Sequence, residues 1–462
     1  MIKVLFASSE IYPFAKTGGL ADVSDAFPFA LKNRVDISRI TPLYSFMQKK
    51  SLKPYESFVL VVGETDYEIE IFTQTDNGLV TYFVEAPFLS TTPHLYGDAT
   101  GDYPNNDLRF GLFCRAIVEL SLRLGIEVLH LNDWHTALSA LFIKEFNLNI
   151  KTIFTIHNLA YHGVFTYSTL SNLSIDSKHY NFEGLEFYDR VNFLKAGITY
   201  SDLITTVSPS YAQEILTPEF GCGLDAHLRH HQKKLSGILN GINYNTFNPQ
   251  SGLDFPYDNN TLENKHKNKV AFIKQSTLKD PRIPLFVMVS RLVQQKGLDL
   301  LLESLEEFLQ KRVNLFILGE GNAEICEKLQ TVAQKHENFE FLQGYDESLS
   351  HKIYAVADFL LMPSRFEPCG LNQFIAMHYG TIPIVHAVGG LKDSVHEQTK
   401  ECGKGIVFEN QTKEDFLLAI QRALEFKKES KKFKATIEFN MECDFSFTHG
   451  SLEYLKLYES LV

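Results

Sequence analysis

Residues 364–395 read S-R-F-E-P-C-G-L-N-Q-F-I-A-M-H-Y-G-T-I-P-I-V-H-A-V-G-G-L-K-D-S-V, and the punctuation of this stretch decides the fold class. The apolar run just before it, residues 359–362, has the composition of a buried strand. A loop carrying Glu367 follows, a helical pattern begins near Gly370, and residues 382–386 make a second strand that runs into Gly389-Gly390. Strand, helix and strand at this spacing predict a βαβ unit of a parallel sheet. In open α/β sheets ligands bind outside the carboxyl ends of the strands, which is where Glu367 falls. Backbone N–H groups near Gly370 at a helix start suit an anion, and Gly389-Gly390 would let backbone approach a ligand closely. Read alone, the segment is still better described as an ordinary βαβ unit with a structural glutamate and turn glycines.

The rest of the chain sets the limits. A length of 462 residues allows two or three domains, and a composition of 44% hydrophobic and 22% charged residues is that of a globular protein with a sizeable core. A formal net charge of −12 argues against general affinity for nucleic acid or an anionic membrane surface, so an anionic ligand needs a local cluster of cations. The cysteines, Cys114, Cys222, Cys326, Cys369, Cys402 and Cys443, are scattered without a C-x-x-C pair, which predicts a reducing, cytoplasmic setting without a disulfide framework. Residues 2–7 read as a first strand and not as a signal peptide, and no run of 18 apolar residues predicts a membrane span.

Taken in order, the first strand leads through a loop to a helix over about residues 20–31. Lys16-Thr17-Gly18-Gly19 stands just before that helix, a place suited to a phosphate and equally to a glycine turn with a solvated lysine. Alternating runs between residues 58 and 84 predict inserted antiparallel strands. The loop over residues 93–106, rich in Gly, Asp, Tyr and Pro, is expected to be exposed and to face a substrate. Residues 128–131 and 151–156 are strand-like, placing Asp133 and His157 on neighbouring loops at one sheet edge. Each also has a bland reading, Asp133 as a helix N-cap and His157 as a hydrogen-bonded core imidazole. Trp134 reads as packing. Ser208-Pro209 reads as an N-cap with proline at the first helical position, Gly221-Cys222-Gly223 as a mobile loop, residues 235–239 as a last strand, and Asn240-Gly241 as an interdomain hinge.

Residues 259–269 are polar and charged and predict a solvated helix face or connector. Strand-like runs then recur at residues 285–289, 313–318, 339–342, 359–362 and 382–386, which predicts a second parallel sheet with right-handed crossovers. After the first of these strands, Arg291 and Lys296 form a candidate diphosphate clamp, with solvated surface charge as the competing reading. The spacing of Leu452, Tyr454, Leu455, Tyr458 and Leu461 predicts a terminal helix covering a domain surface. No complete G-x-G-x-x-G, no Walker loop and no D-x-D pair is present, which disfavours a dehydrogenase, a kinase and a metal-dependent nucleotide-sugar enzyme.

Five stretches coincide in one order over nearly the whole chain: Lys16-Thr17-Gly18-Gly19-Leu20-Ala21-Asp22-Val23, Asn132-Asp133-Trp134-His135-Thr136, His157-Asn158-Leu159-Ala160-Tyr161, Arg291-Leu292-Val293-Gln294-Gln295-Lys296-Gly297 and residues 364–395. Together they resemble the bacterial glycogen synthase and starch synthase family. The resemblance implies an α/β protein with the GT-B fold, two Rossmann-like domains whose parallel sheets flank a central cleft. It assigns residues 1–240 to the acceptor side, 241–441 to the nucleotide sugar, and 442–462 to a helix crossing back onto the first domain. The implied reaction is retaining transfer of glucose from ADP-glucose to the non-reducing 4-hydroxyl of an α-1,4-glucan, without metal or cofactor. The implied partners are thus ADP-glucose and a glucan.

Carried over position by position, Lys16, Gly18 and Gly19 would contact the diphosphate or the donor sugar, and Arg291 with Lys296 would stabilise the leaving ADP. Glu367 would hold sugar or ribose hydroxyls, with the backbone of Cys369, Gly370 and Leu371 around the glucose. Asp22, Asp133, His157 and Asn240 would position donor glucose and acceptor, and Tyr96 would lie on the nucleotide side. Departures from the family pattern are a shortened segment between Leu31 and Arg39, and Asn243 and Phe247 where Asp and Trp are common. Ile375, where many GT-B relatives carry a second glutamate, fits the synthases. Another nucleotide sugar or acceptor, or an inactive glucan-binding scaffold, are the competing functions; the joint presence of Lys16, Arg291, Lys296 and Glu367 speaks against the scaffold. Nothing in the sequence indicates the oligomeric state.

Overall fold

The computed structural model describes residues 1–98, 101–399 and 403–462, so Cys402 lies outside the described residues. The chain divides into two compact units, one of residues 1–240 with 447–462 and the other of residues 241–446.

The first unit is built on a nine-stranded sheet. Its strands, in spatial order, are Leu235–Gly237, Leu203–Thr206, Lys151–Ile156, Val128–Asn132, Lys3–Ala7, Asp36–Pro42, Leu79–Glu85, Thr65–Asp76 and Lys53–Val62. The first seven in that order are parallel, and the last two close one edge as an antiparallel hairpin. The alternating runs expected to be inserted antiparallel strands therefore divide. Leu79–Glu85 joins the parallel sheet beside Asp36–Pro42, and only the other two form the hairpin. The division follows burial: Leu79–Glu85 is buried at five of seven positions, whereas Lys53–Val62 alternates exposed and buried residues as a half-solvated edge strand does.

The helix Thr448–Leu461 packs on this unit through two tyrosines. The Tyr458 hydroxyl meets His130 Nδ1 at 2.6 Å, the Tyr454 hydroxyl lies 3.2 Å from Thr205 Oγ1, and the Tyr454 ring packs edge-on against Phe27. Each ring buries a large apolar face while its hydroxyl finds a polar partner, which is how tyrosine is accommodated in a core.

The second unit carries a six-stranded, fully parallel sheet in the order Phe339–Gln343, Asn314–Gly319, Leu285–Val289, Phe359–Met362, Ile382–His386, Ile406–Phe408. Numbered along the chain this is 3-2-1-4-5-6, the doubly wound order. Every residue of Leu285–Val289 is buried, as a strand covered on both faces must be. Leu298, Leu301, Leu305 and Phe308 of the helix Leu298–Leu309 pack with it in one core. At about 1.5–3 kcal/mol for each fully buried side chain of this size, that apolar stripe supplies much of what holds the helix in place.

One expectation is corrected here. The polar stretch 259–269 is not a solvated connector: the helix Glu263–Gln275 buries Lys265 and Lys269. Lys265 Nζ donates to the carbonyls of Ala355 and Tyr379, each at 3.0 Å, and to Thr381 Oγ1 at 2.9 Å, while Lys269 pairs with Asp358 at 2.5 Å. A cage of carbonyl and hydroxyl oxygens around Lys265 and a carboxylate beside Lys269 are what make these interior positions acceptable to an ammonium group.

Candidate active site

The doubly wound order places a crevice where the chain reverses direction across the sheet, between the first and fourth strands. In the second unit these are Leu285–Val289 and Phe359–Met362, and the loops leaving their carboxyl ends carry Arg291, Lys296 and Glu367. The structure brings Lys296 and Glu367 together. Lys296 Nζ lies 2.6 Å from Glu367 Oε2, which also accepts a 2.9 Å bond from Ser364 Oγ. The Glu367 side chain is 6% exposed and that of Lys296 19% exposed. No partner among the described residues reaches Oε1, so one oxygen of the carboxylate is committed and the other is free to accept from a ligand. Arg291, in contrast, is exposed, and its side chain has no hydrogen bond or ion pair among the described residues.

Main-chain contacts lock the two loops to one another. Arg365 N donates to Gln295 O at 2.9 Å, and Gln295 Nε2 to Phe366 O at 3.3 Å. Gly297 has φ +70°, and a Cβ on it would overlap the carbonyl of Pro363, so two separate demands fix glycine there. The turn after Ile382–His386 joins the same cluster: Gly390 N donates to Glu367 O at 3.0 Å, and a Cβ on Gly390 would run into the backbone of Cys369. Cys369 is buried, Gly370 has φ +73°, and Leu371 leads into the short helix Asn372–His378.

In the first unit the parallel strands, numbered along the chain, run 3-2-1-4-5-6-7, and the reversal lies between Lys3–Ala7 and Val128–Asn132. Here too the loops at the carboxyl ends carry the predicted residues. Lys16 Nζ pairs with Asp22 Oδ1 at 2.8 Å. Gly18 has extended backbone, and a Cβ there would meet nothing within 4 Å, so no packing of the protein itself explains a glycine at this position. The chain continues through Gly19 into the helix Gly19–Leu31.

Asp133 occupies the N-cap position of the helix Trp134–Glu145, but its side chain does not cap it. Instead Oδ1 accepts from His157 N at 2.7 Å and Asn158 N at 3.4 Å. Its backbone sits at φ +55° and ψ −178°, a strained conformation for a residue with a side chain. Burial pushes its carboxyl up to about 7 against the opposing pull of those two N–H groups, and the charge of Glu10 adds to the rise. His157 is held neutral, its imidazole lowered to about 3 by burial. The hydrogen-bond network assigns its tautomer. Asn132 Nδ2 donates to Ala7 O at 2.9 Å, which turns Asn132 Oδ1 toward His157 Nε2 at 2.8 Å. Nε2 therefore carries the proton, and Nδ1 is left as an acceptor.

Tyr96 is engaged by the protein: its hydroxyl donates to Glu10 Oε1 at 2.7 Å and lies 2.8 Å from Ser9 Oγ, and its ring stacks on His135. Trp134 is buried against His135 and Phe110. Asn240 lies beyond the last strand, where the chain leaves the first unit, and no hydrogen bond among the described residues joins it to either cluster. Sequence reasoning missed Glu10, Asn132 and Ser364. Their only signal was position, since each stands at or just beyond the carboxyl end of a central strand. Among the described residues no group of three or more His, Cys, Asp or Glu side chains is arranged to hold a metal ion. Among them, too, no helix is long and apolar enough to cross a membrane.

Two α/β units, each with polar and charged side chains gathered at the reversal of a parallel sheet, are the architecture of a glycosyltransferase, and the comparisons agree. Residues 3–230 match the family described as starch synthase catalytic domain, and residues 269–438 match glycosyl transferases group 1. Over its full length the chain is 41% identical to a glycogen synthase of Aquifex aeolicus, covering 99% of that protein, and 38% identical to one of Syntrophotalea carbinolica, also covering 99%. The solved catalytic domain of starch synthase IV from Arabidopsis thaliana, bound to ADP and acarbose, superposes with a TM-score of 0.92 at 32% identity, covering 100% of this chain and 99% of that one. A sucrose-phosphate synthase from Thermosynechococcus elongatus shares the fold at a TM-score of 0.64 and 17% identity. The chain belongs to the glycogen and starch synthase family of glycosyltransferases.

Proposed function

We propose that the protein transfers glucose from ADP-glucose to the non-reducing 4-hydroxyl of an α-1,4-glucan, with retention of configuration and without a metal ion. The observation that carries this reading is the Lys296–Glu367–Ser364 cluster beside exposed Arg291 at the sheet reversal of the second unit. Breaking the bond between the anomeric carbon and the diphosphate builds negative charge on phosphate oxygen and positive charge on the sugar. Fixed cations and main-chain donors facing the diphosphate stabilise the first of these charges. Arg291 and Lys296 supply the cations, and main-chain N–H groups over residues 369–371 face the glucose; Lys16, in the first unit, is assigned to the diphosphate by the family resemblance.

Glu367 holds sugar hydroxyls through its free oxygen and does not attack the anomeric carbon. A double-displacement mechanism needs a carboxylate nucleophile paired with an acid, and the ammonium and hydroxyl on Oε2 instead fix this carboxylate as an orienting acceptor. As the donor bond breaks, the acceptor's 4-hydroxyl attacks on the same face. Its proton passes to the departing phosphate oxygen, so no protein base is consumed. Asp133 and neutral His157, with Asp22 and Asn240, position the glucose and the acceptor.

The test incubates the protein with glycogen and radiolabelled ADP-glucose or UDP-glucose, with and without EDTA. Incorporation from ADP-glucose that is unaffected by EDTA is expected. No incorporation from either donor would refute the transferase reading, loss of activity with EDTA would refute the metal-free mechanism, and a clear preference for UDP-glucose would refute the donor assignment.

A further inference from the structure

Glu10 is an uncommon kind of buried carboxylate. It is 4% exposed, and no cation pairs with it among the described residues. All its partners are main-chain N–H groups and hydroxyls. Oε2 accepts from Thr17 N at 2.6 Å and Gly18 N at 3.3 Å, while Oε1 accepts from Thr17 Oγ1 at 2.6 Å and the Tyr96 hydroxyl at 2.7 Å. The two main-chain N–H groups on Oε2 can only donate, and the two hydroxyls on Oε1 donate to it as well, so all four contacts suit a carboxylate that only accepts.

These bonds join two segments far apart in sequence. Thr17 and Gly18 belong to the loop that carries Lys16, and Tyr96 to the loop over residues 93–106. Beyond Tyr96 the connection continues. Asn106 Nδ2 donates to Tyr96 O at 2.7 Å, and Asn106 Oδ1 accepts from Arg109 Nη1 at 2.6 Å. Arg109 is fully buried without a carboxylate partner among the described residues, and its other donors go to Thr92 Oγ1 and Phe88 O. A buried anion and a buried cation are thus each committed to ordering loops instead of to one another, and a hydrogen-bonded chain from Phe88 to Gly18 holds both loops. Leaving such charges without an ion pair is costly, and their hydrogen bonds offset that cost only while every loop group stays in place.

We propose that Glu10 is a positioning residue that sets the backbone of residues 16–19, and so the place of Lys16, for binding the donor diphosphate. The proposal rests on the transferase reading above. Gln at this position keeps the amide contacts only by turning Nε2 toward the Thr17 and Tyr96 hydroxyls, which can rotate to accept; Leu keeps volume and no contact.

The experiment compares wild type, Glu10→Gln and Glu10→Leu as intact chains. Glucosyl transfer is measured with ADP-glucose and glycogen varied in turn, and amide hydrogen exchange by mass spectrometry across the whole chain. Loss of charge-assisted bonds predicts a donor KM raised about tenfold in Glu10→Gln and further in Glu10→Leu. The glycogen KM should stay within about twofold, because a loop that meets the donor has no direct part in acceptor binding. Exchange should quicken over residues 16–20 and not across the rest of the first unit. An unchanged donor KM with unchanged exchange would overturn the proposal. So would equal rises in both KM values with exchange quickened throughout the first unit, which would make Glu10 a residue of general stability. If wild type transfers nothing from ADP-glucose, the transferase reading fails, and exchange alone then decides this one: quickening confined to residues 16–20 supports it and unchanged exchange rejects it.

Discussion

Asp133→Asn should make the protein's stability less sensitive to pH, in a direction and window set by burial. In the folded chain burial raises the Asp133 carboxyl from 3.8 to about 7. Between those values the folded state keeps a proton that the unfolded chain has released. The stability this supplies is fully present below about pH 4 and is lost as pH rises through 7. The shift of about three units corresponds to about 4 kcal/mol over the whole window, an upper bound, at about 1.4 kcal/mol per unit. Roughly one unit has gone by pH 5, so about 3 kcal/mol remains to be lost between pH 5 and pH 8.5. Asparagine has no proton to release, and its Oδ1 can still accept from His157 N. No hydrogen bond to Oδ2 is formed among the described residues, so an NH₂ group there leaves its hydrogens without a partner in the chain, at a cost of about 1–3 kcal/mol that does not depend on pH. The absolute change in melting temperature therefore has no fixed sign, but the change at pH 8.5 minus the change at pH 5 does. For a unit of this size, with about 2–4 °C per kcal/mol, that difference should favour Asn by on the order of 6–12 °C. Scanning calorimetry or dye-monitored melting at the two pH values measures it. An equal shift at both, or a shift favouring Asn more at pH 5, would refute the argument that burial dominates the two N–H bonds from His157 and Asn158.

Other perturbations separate what the fold needs from what the chemistry needs. Lys296→Met leaves the Glu367 carboxylate buried with only Ser364 as partner and should destabilise the second unit by about 1–3 kcal/mol, discounted for the partial exposure of the lysine. Adding Glu367→Gln should recover most of that loss without recovering transfer, read by a double-mutant cycle on melting and on kcat. Gly297→Ala should cost more than about 3 kcal/mol, because a methyl group would overlap the Pro363 carbonyl at a left-handed φ, and chemical denaturation should show the loss. Gly18→Ala should leave the denaturation midpoint within about 0.5 kcal/mol of wild type and yet raise the donor KM, since only a ligand would meet the added methyl. Arg291→Ala, at an exposed and unpartnered side chain, should leave stability unchanged and lower kcat/KM for the donor by at least tenfold.

Most strands of both sheets were legible because parallel strands buried on both faces appear as short apolar runs, as residues 285–289 and 359–362 do; Asp36–Pro42, with its polar and charged residues, and the three-residue Ile406–Phe408 were not. The candidate site was read from position: Lys16, Asp133, His157, Arg291 and Glu367 all follow such runs. What the sequence could not convey was the environment each side chain enters. Lys265 and Lys269 look solvated, and the carbonyls and the Asp358 carboxylate that receive them lie some ninety residues away. Glu10 stands in a small polar run beside the first strand, while its partner Tyr96 is 86 positions distant. Long-range hydrogen bonds leave no local periodicity, so reasoning from patterns finds the edge of the sheet and misses the groups that fix its loops.

That difference bears on how each site is held. At the reversal of a doubly wound sheet the crossovers depart to opposite faces, so the loops after the first and fourth strands lack a helix packed between them. Apolar packing cannot set their relation, and in both units polar ties do. Asn132 reaches Ala7 in the first unit, and Lys296 reaches Glu367 in the second. Directional ties fix orientation where packing fixes only proximity, so the acceptor nitrogen of His157 and the free oxygen of Glu367 are set before a ligand arrives. The cost falls on the folded state. Asp133 holds strained backbone and a carboxyl pushed up to about 7, and Glu10 is buried without a cation among the described residues. Strain of this kind persists only where surrounding structure over-determines it, and relieving it should stabilise the first unit while slowing the reaction. Asp133→Asn removes only the buried carboxyl, so it should be less destabilising at pH 8.5 than at pH 5 while slowing transfer at both.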